Sequence, residues 1–118
     1  MTERSGFLLT DLYQLAMMQA YVEAGETETA VFEFFVRKLP QGRNFLRAAG
    51  LEQALGFLET VGITGDELDW LRRSGHVGES LLDQLAEFRF TGDVHAVPEG
   101  TVFFPDEPIL RVTAPLPQ

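Results

Sequence analysis

The stretch TETAVFEFFVRKLPQGRNFLR, residues 27–47, decides the fold. Its first eleven residues alternate. Ala30, Phe32, Phe34 and Val36 fall on one side; Val31, Glu33, Phe35 and Arg37 fall on the other. A repeat of two among β-branched and aromatic residues marks a strand. Pro40 removes a backbone donor and Gly42 permits a turn, so the strand ends there. Past Asn44 the period changes. Ala48, Leu51, Leu55 and Leu58 recur at spacings of three and four, the core-facing stripe of a helix that Asn44 is placed to cap. The connection between the two elements carries Arg37, Lys38, Arg43 and Arg47 and no acid, whereas the rest of the chain has five basic residues against eighteen acidic. One reading is a site for a small multiply charged anion such as phosphate or pyrophosphate. Backbone N–H groups around Gly42 and the dipole of the following helix would favour that anion. The other reading is a basic loop that pairs with the acidic surface of its own domain, in contacts worth little. Both stay open at this level.

Working outward, Thr10 or Asp11 can cap a helix over 11–24 that ends at Gly25. Leu12, Leu15, Ala16, Gln19 and Val22 form one stripe, and Tyr13, Met17, Ala20 and Tyr21 form a second beside it. A helix apolar over so much of its circumference is buried on two sides or lies at an interface. Tyr13, in the first turn, then reads as a core or interface tyrosine whose hydroxyl finds a partner. On the other side, Thr64-Gly65-Asp66-Glu67 is a capping box, with Ile63 and Leu68 at the staple positions. It starts a helix over 65–73 that ends at Gly75. Another helix over 79–88 carries Leu81, Leu82, Leu85 and Phe88. Strands are predicted near 92–97, 101–104 and 109–114, separated by Pro-Glu-Gly and Pro-Asp-Glu-Pro turns. The expected fold is a single α+β domain over 1–118. Its helices pack on a small mixed or antiparallel sheet, and its C-terminal part is β-rich and barrel-sandwich-like.

With 118 residues, 45% of them hydrophobic, the chain suffices for one compact domain. Cysteine is absent, which excludes a disulfide framework, a thiolate nucleophile and a cysteine zinc site. The net charge of −9 argues against nucleic acid and against anionic membranes as partners. No apolar run approaches the ~20 residues that span a bilayer. The short apolar patch within MTERSGFLLTDLYQLAMM is interrupted by Asp11 and lacks a cleavage site. A cytoplasmic, soluble protein is therefore expected. His76 and His95 have no acid, serine or second histidine at ligand or triad spacing. No phosphate-loop, dinucleotide or metal motif is present. The residues fit a domain that contributes binding groups, with neither a complete catalytic set nor a metal site of its own. The strand-rich end at Pro117-Gln118 has no closing element, which suggests a piece of a longer chain. The segment VPEGTVFFPDEPILRV is similar to the hairpins of biotinyl and lipoyl carriers. A carrier needs an acylated lysine between those strands, and the sole lysine is Lys38.

Three phrases carry a more specific resemblance: LLTDLYQLAMMQAY (8–21), FEFFVRKLPQGRNFLRAAGLEQAL (32–55) and FTGDVHAVPEGTVFFPDEPILRV (90–112). Together they resemble the N-terminal domain of bacterial nicotinate phosphoribosyltransferases. The resemblance implies an enzyme that forms nicotinate mononucleotide from nicotinate and phosphoribosyl pyrophosphate, driven by ATP hydrolysis with Mg2+, in NAD salvage. It implies a catalytic α/β barrel that this chain lacks, and a homodimer in which the N-terminal domain of one subunit covers the barrel mouth of the other. Carried over, Tyr13 matches the aromatic residue that stacks on the pyridine ring, and Asp11 beside it fixes that helix terminus. Arg37, Lys38 and Arg43, with Asn44 next to them, match the basic segment facing the phosphates. Neither His76 nor His95 inherits the barrel's phosphorylatable histidine. By itself the chain is expected to be inactive and to bind no cofactor, with an exposed apolar patch where barrel or partner would pack. The related quinolinate- or nicotinamide-using enzymes are neighbouring readings. A non-catalytic interaction module with a small-anion site is the reading from a different class.

Overall fold

A computed structural model describes residues 5–118; residues 1–4, the start of the expected domain, lie outside the described range. The element order is α1 Leu12–Ala24, β1 Thr29–Phe34, β2 Leu46–Arg47, α2 Leu51–Thr60, α3 Gly65–Ser74, α4 Glu79–Ala86, β3 Asp93–Ala96, β4 Val102–Phe103 and β5 Leu110–Pro115. The fold is α+β, and both sheets are antiparallel: three strands in the order β1-β5-β3, and the pair β2-β4.

The core is helical. Leu71, Leu81, Leu82 and Leu85 are fully enclosed, with Leu15 of α1 beside them. Phe7, Leu8, Met18, Val22, Ile63, Leu68 and Val77 close around this cluster. The ring of Phe7 meets Phe88 edge-on at 5.2 Å between centroids. Helices α1 and α3 both pack on α4, and Gln19 ties α1 to the start of α4 by accepting from the Gly78 N–H at 2.9 Å. Helices α1, α3 and α4 thus find their main packing on one another, where the sequence suggested packing on the sheet.

Local signals place the helix ends. Gly25, at φ 69, ends α1 with the Glu26 N–H on the Tyr21 carbonyl and its own N–H on Val22. The capping box of α3 is complete: the Thr64 hydroxyl accepts from the Glu67 N–H, and the Glu67 carboxylate accepts from the Thr64 N–H. Ser5 donates to the same carboxylate at 2.7 Å. Partial burial pushes the Glu67 carboxyl up. Hydrogen bonds from the Thr64 N–H, the Ser5 hydroxyl, the Thr64 side chain and the Ser5 N–H outweigh it and hold the pKa below the ordinary 4.5.

Two expectations need correction. The helix expected after Asn44 begins only at Leu51, with Gly50 at its N-cap in the left-handed region, so Asn44 caps no helix. Leu46 and Arg47 are instead a short strand, held by Phe103 and Val102 more than fifty residues away. The stripe Ala48, Leu51, Leu55 and Leu58 is not a core face: Ala48 is buried at the end of β2, and α2 has no buried residue.

In the larger sheet, β5 is central. Its register sets Phe32 opposite Val112, and Phe34 opposite Leu110, on one face. Glu33, Arg111 and His95 line up across the other face, and Arg111 donates to the Glu33 carboxylate at 2.9 Å. Gly92 precedes β3 where a β-carbon would collide with the Thr113 carbonyl and the Ala114 side chain. The apolar face has little over it, and Phe32 and Phe34 stay exposed.

Candidate functional site

Two surfaces hold the residues singled out from the sequence. The first is a groove of about 490 Å³ between α1, α2, β1 and the C-terminal residues. Its walls include Leu9, Tyr13, Met17, Phe32 and Phe57, all exposed. Only Leu15 of α1 is buried, so the helix packs on one side and opens into this groove on the other. Tyr13, Met17 and Ala20 of its second stripe are exposed, as are Leu12 and Ala16 of the first. Tyr13 is 60% exposed, with its ring on the groove wall. Asp11 occupies the N-cap of α1 through its backbone, φ −81 and ψ 145, while its carboxylate makes no capping hydrogen bond. The hydrogen bond at that terminus is made by its main chain, whose carbonyl accepts from the Gln14 N–H at 3.1 Å. The Thr10 hydroxyl bonds the Gln14 side chain one turn on.

The second surface is the cationic loop 37–47. The Arg43 N–H donates to the Pro40 carbonyl at 3.1 Å, closing a turn in which Gly42 has φ 83. A left-handed residue at the third position of such a turn favours glycine. Beyond Gly42 itself and its two chain neighbours, no atom lies within 4 Å of where its β-carbon would sit, so the backbone is open to approach there. Arg37, Lys38, Arg43, Asn44 and Arg47 are all exposed.

Partners separate these cations from the others. Arg72 binds Asp69 and Glu79, and Arg111 binds Glu33. Arg73 donates to the Asp69 carbonyl and Arg89 to the Phe88 carbonyl. Among the described residues, no ion pair or side-chain hydrogen bond engages Arg37, Lys38, Arg43 or Arg47. Four like charges thus share one eleven-residue stretch with no carboxylate partner among the described residues. Such an arrangement attracts a polyanion and gains little from the chain's own carboxylates.

The two surfaces are distinct: none of Arg37, Lys38, Arg43 and Asn44 lines the groove that holds Tyr13. The loop is also further from a helix start than expected, since β2 lies between it and α2. The donors available to an anion here are side chains and turn N–H groups, without a helix dipole. Among the described residues, no group of three or more histidines and carboxylates is arranged to hold a metal ion. Among the described residues, no helix is long and apolar enough to cross a membrane.

Residues 8–118 match the model of the nicotinate phosphoribosyltransferase N-terminal domain. The chain belongs to that family. Nicotinate phosphoribosyltransferase pncB2 of Mycobacterium tuberculosis is 49% identical over 111 residues, which cover 94% of this chain and 24% of the relative. The Bacillus subtilis nicotinate phosphoribosyltransferase is 39% identical over 110 residues, covering 92% of this chain and 22% of the relative. The crystal structure of human nicotinic acid phosphoribosyltransferase superposes with a TM-score of 0.80 at 33% identity, over 92% of this chain and 22% of that one. A nicotinate-nucleotide pyrophosphorylase from Pyrococcus furiosus shares the fold at a TM-score of 0.67 and 18% identity. The chain spans about a quarter of the length of the curated relatives it matches. The family domain therefore has this α+β architecture with four helices and small antiparallel sheets.

The groove was not legible in the sequence. Phe32 and Phe57 join Tyr13 only through the tertiary arrangement of α1, β1 and α2. The broadly apolar circumference of α1 pointed to an interface, but not to which residues of β1 and α2 share it.

Proposed function

We propose that this chain is the N-terminal part of an enzyme that makes nicotinate mononucleotide from nicotinate and phosphoribosyl pyrophosphate in NAD salvage. It lends binding groups to an active site completed by other polypeptide. The observation that carries this reading is the set of four exposed, unpaired cations on one loop, in a chain whose other described cations all bind an oxygen. Arg37, Lys38 and Arg43, with Asn44 beside them, face the phosphates. Glycosyl transfer at the anomeric carbon builds positive charge on the ribose while pyrophosphate departs. Fixed cations at the departing group stabilise the charge that develops there. Tyr13 offers a flat ring on an apolar wall, suited to position a pyridine, and Asp11 shapes the helix terminus that presents it.

That Tyr13 and the loop lie on separate surfaces supports a shared site, in which the catalytic barrel and a second subunit of a homodimer complete each half. By the resemblance, Mg2+ and ATP serve the full enzyme. The phosphorylatable histidine of the family belongs to the barrel, and neither His76 nor His95 takes that role.

Grafting tests the reading. This chain replaces the matching segment of the Mycobacterium tuberculosis pncB2 relative, and nicotinate-dependent nucleotide formation is measured. A working graft that loses most activity with Arg37→Ala, Lys38→Ala and Arg43→Ala combined is expected. A folded graft indifferent to those three changes overturns the phosphate role. Turnover by the 118-residue chain alone would refute its dependence on other polypeptide.

A further inference from the structure

The turn Pro105-Asp106-Glu107-Pro108 stands out in the backbone. Asp106, at φ 65, is the one non-glycine residue with positive φ among those described. L residues avoid that region, and aspartate and asparagine are the types that tolerate it. Such a conformation persists where the surroundings over-determine it.

The same residue makes a cross-strand backbone hydrogen bond. The Asp106 N–H donates to the Val36 carbonyl at 2.9 Å, and the Ile109 N–H donates to the Phe34 carbonyl at 3.0 Å. These two bonds carry the β1–β5 pairing past its last register pair, Phe34 with Leu110. Glu107 braces the turn, since its carboxylate accepts from the Phe104 N–H at 2.8 Å. Val36 immediately precedes Arg37 and Lys38.

The far end of the cationic loop is held by the same stretch of chain. Leu46 and Arg47 pair with Phe103 and Val102. The Ala48 N–H donates to the Thr101 carbonyl at 2.8 Å, and the Gly100 N–H donates to the Ala48 carbonyl at 2.7 Å. Residues 100–109 therefore grip both ends of the loop 37–47, and Asp106 is the backbone contact at its entry.

We propose that Asp106 is a positioning residue for the anion loop: its left-handed conformation anchors Val36 and thereby sets where Arg37 and Lys38 stand against a phosphate-bearing ligand. The inference rests on the anion reading above, and the experiment separates the two. Inorganic pyrophosphate is titrated into the 118-residue chain, and amide shifts at 37–47 are followed by NMR. Asp106→Asn and Asp106→Gly, both at home in the left-handed region, bind as the wild type does. Asp106→Ala binds roughly five- to thirty-fold more weakly, because the competent loop is less populated. Amides of the helical core at Leu71, Leu81 and Leu85 keep their shifts. Glu107→Ala removes the brace and leaves Asp106 in place. It weakens binding in the same direction and decides the matter should Asp106→Ala not fold. Wild-type affinity in both alanine variants, or an equal loss in the asparagine and glycine variants, overturns the positioning role alone. A wild-type chain with no response at 37–47 overturns the anion reading and this inference with it.

Discussion

Tyr13 and Gly92 illustrate opposite constraints on single residues. The Tyr13 ring is more than half exposed, so the isolated fold has little use for it. Tyr13→Ala should change stability by about 0.5 kcal/mol or less, in the range of ordinary surface substitutions. In the grafted enzyme the same change should raise the nicotinate KM about five- to tenfold, through loss of a stacking contact worth roughly 1 kcal/mol. Tyr13→Phe should restore it. Steady-state kinetics beside a urea titration separates the two effects. Gly92 is the reverse case, because any side chain there meets the backbone and Ala114 of the central strand. Gly92→Ala should cost about 1–3 kcal/mol, as overpacking does, read from the same titration. The cationic island is legible in the sequence alone, since it is a fact of composition. That its members have no partners among the described residues is not, because the positions of Glu33, Asp69 and Glu79 relative to the arginines depend on the fold.

Elements divide into those that carry their own signals and those that borrow them. Helix α3 is local: a capping box starts it, and Gly75 in the left-handed region ends it. Its limits were accordingly readable to within a residue. Strand β2 is two residues long and exists only because β4 lies beside it, so no local period announces it. That pairing also moved the start of α2 from Asn44 to Leu51. Strands β3 and β5 were placed to within a residue or two by their turns. The same division predicts stability. Leu81→Ala or Leu85→Ala empties a fully enclosed position and should cost about 2–5 kcal/mol. Leu55→Ala, on a helix with no buried residue, should cost about 0.5 kcal/mol or less. The capping box adds a pH dependence. Because the folded-state pKa of Glu67 is lowered from 4.5, its stabilising contribution is complete above 4.5 and fades as pH falls through the folded value. Thermal melts of wild type and Glu67→Gln should differ at neutral pH and converge on acidification. A gap that stays constant down to strongly acidic pH would refute the role given to the carboxylate.

The whole molecule is looser than a self-sufficient domain. Its radius of gyration is 16.6 Å, against about 13.5 Å for a compact chain of this length. Its accessible surface is 8567 Å², against roughly 6,400 Å² for a folded monomer of this mass. The excess, on the order of 2,000 Å², is the scale of a stable protein–protein interface. It coincides with apolar side chains left in the open: Leu9, Met17 and Phe32 at the groove, and Phe34 on the uncovered sheet face. Hydrophobic area of that extent drives association when its proper cover is missing. The isolated chain should therefore sediment as a concentration-dependent mixture, monomeric only when dilute. The double change Met17→Glu and Phe32→Glu places like charges on the groove. It should hold the chain monomeric at every concentration while leaving the urea midpoint of the helical core nearly unmoved, because neither residue belongs to the cluster around Leu81 and Leu85. Sedimentation velocity across a hundredfold dilution distinguishes the outcomes. A wild-type chain that stays monomeric throughout would show that the open surface is inert, and the argument that another polypeptide belongs there would lose its physical basis.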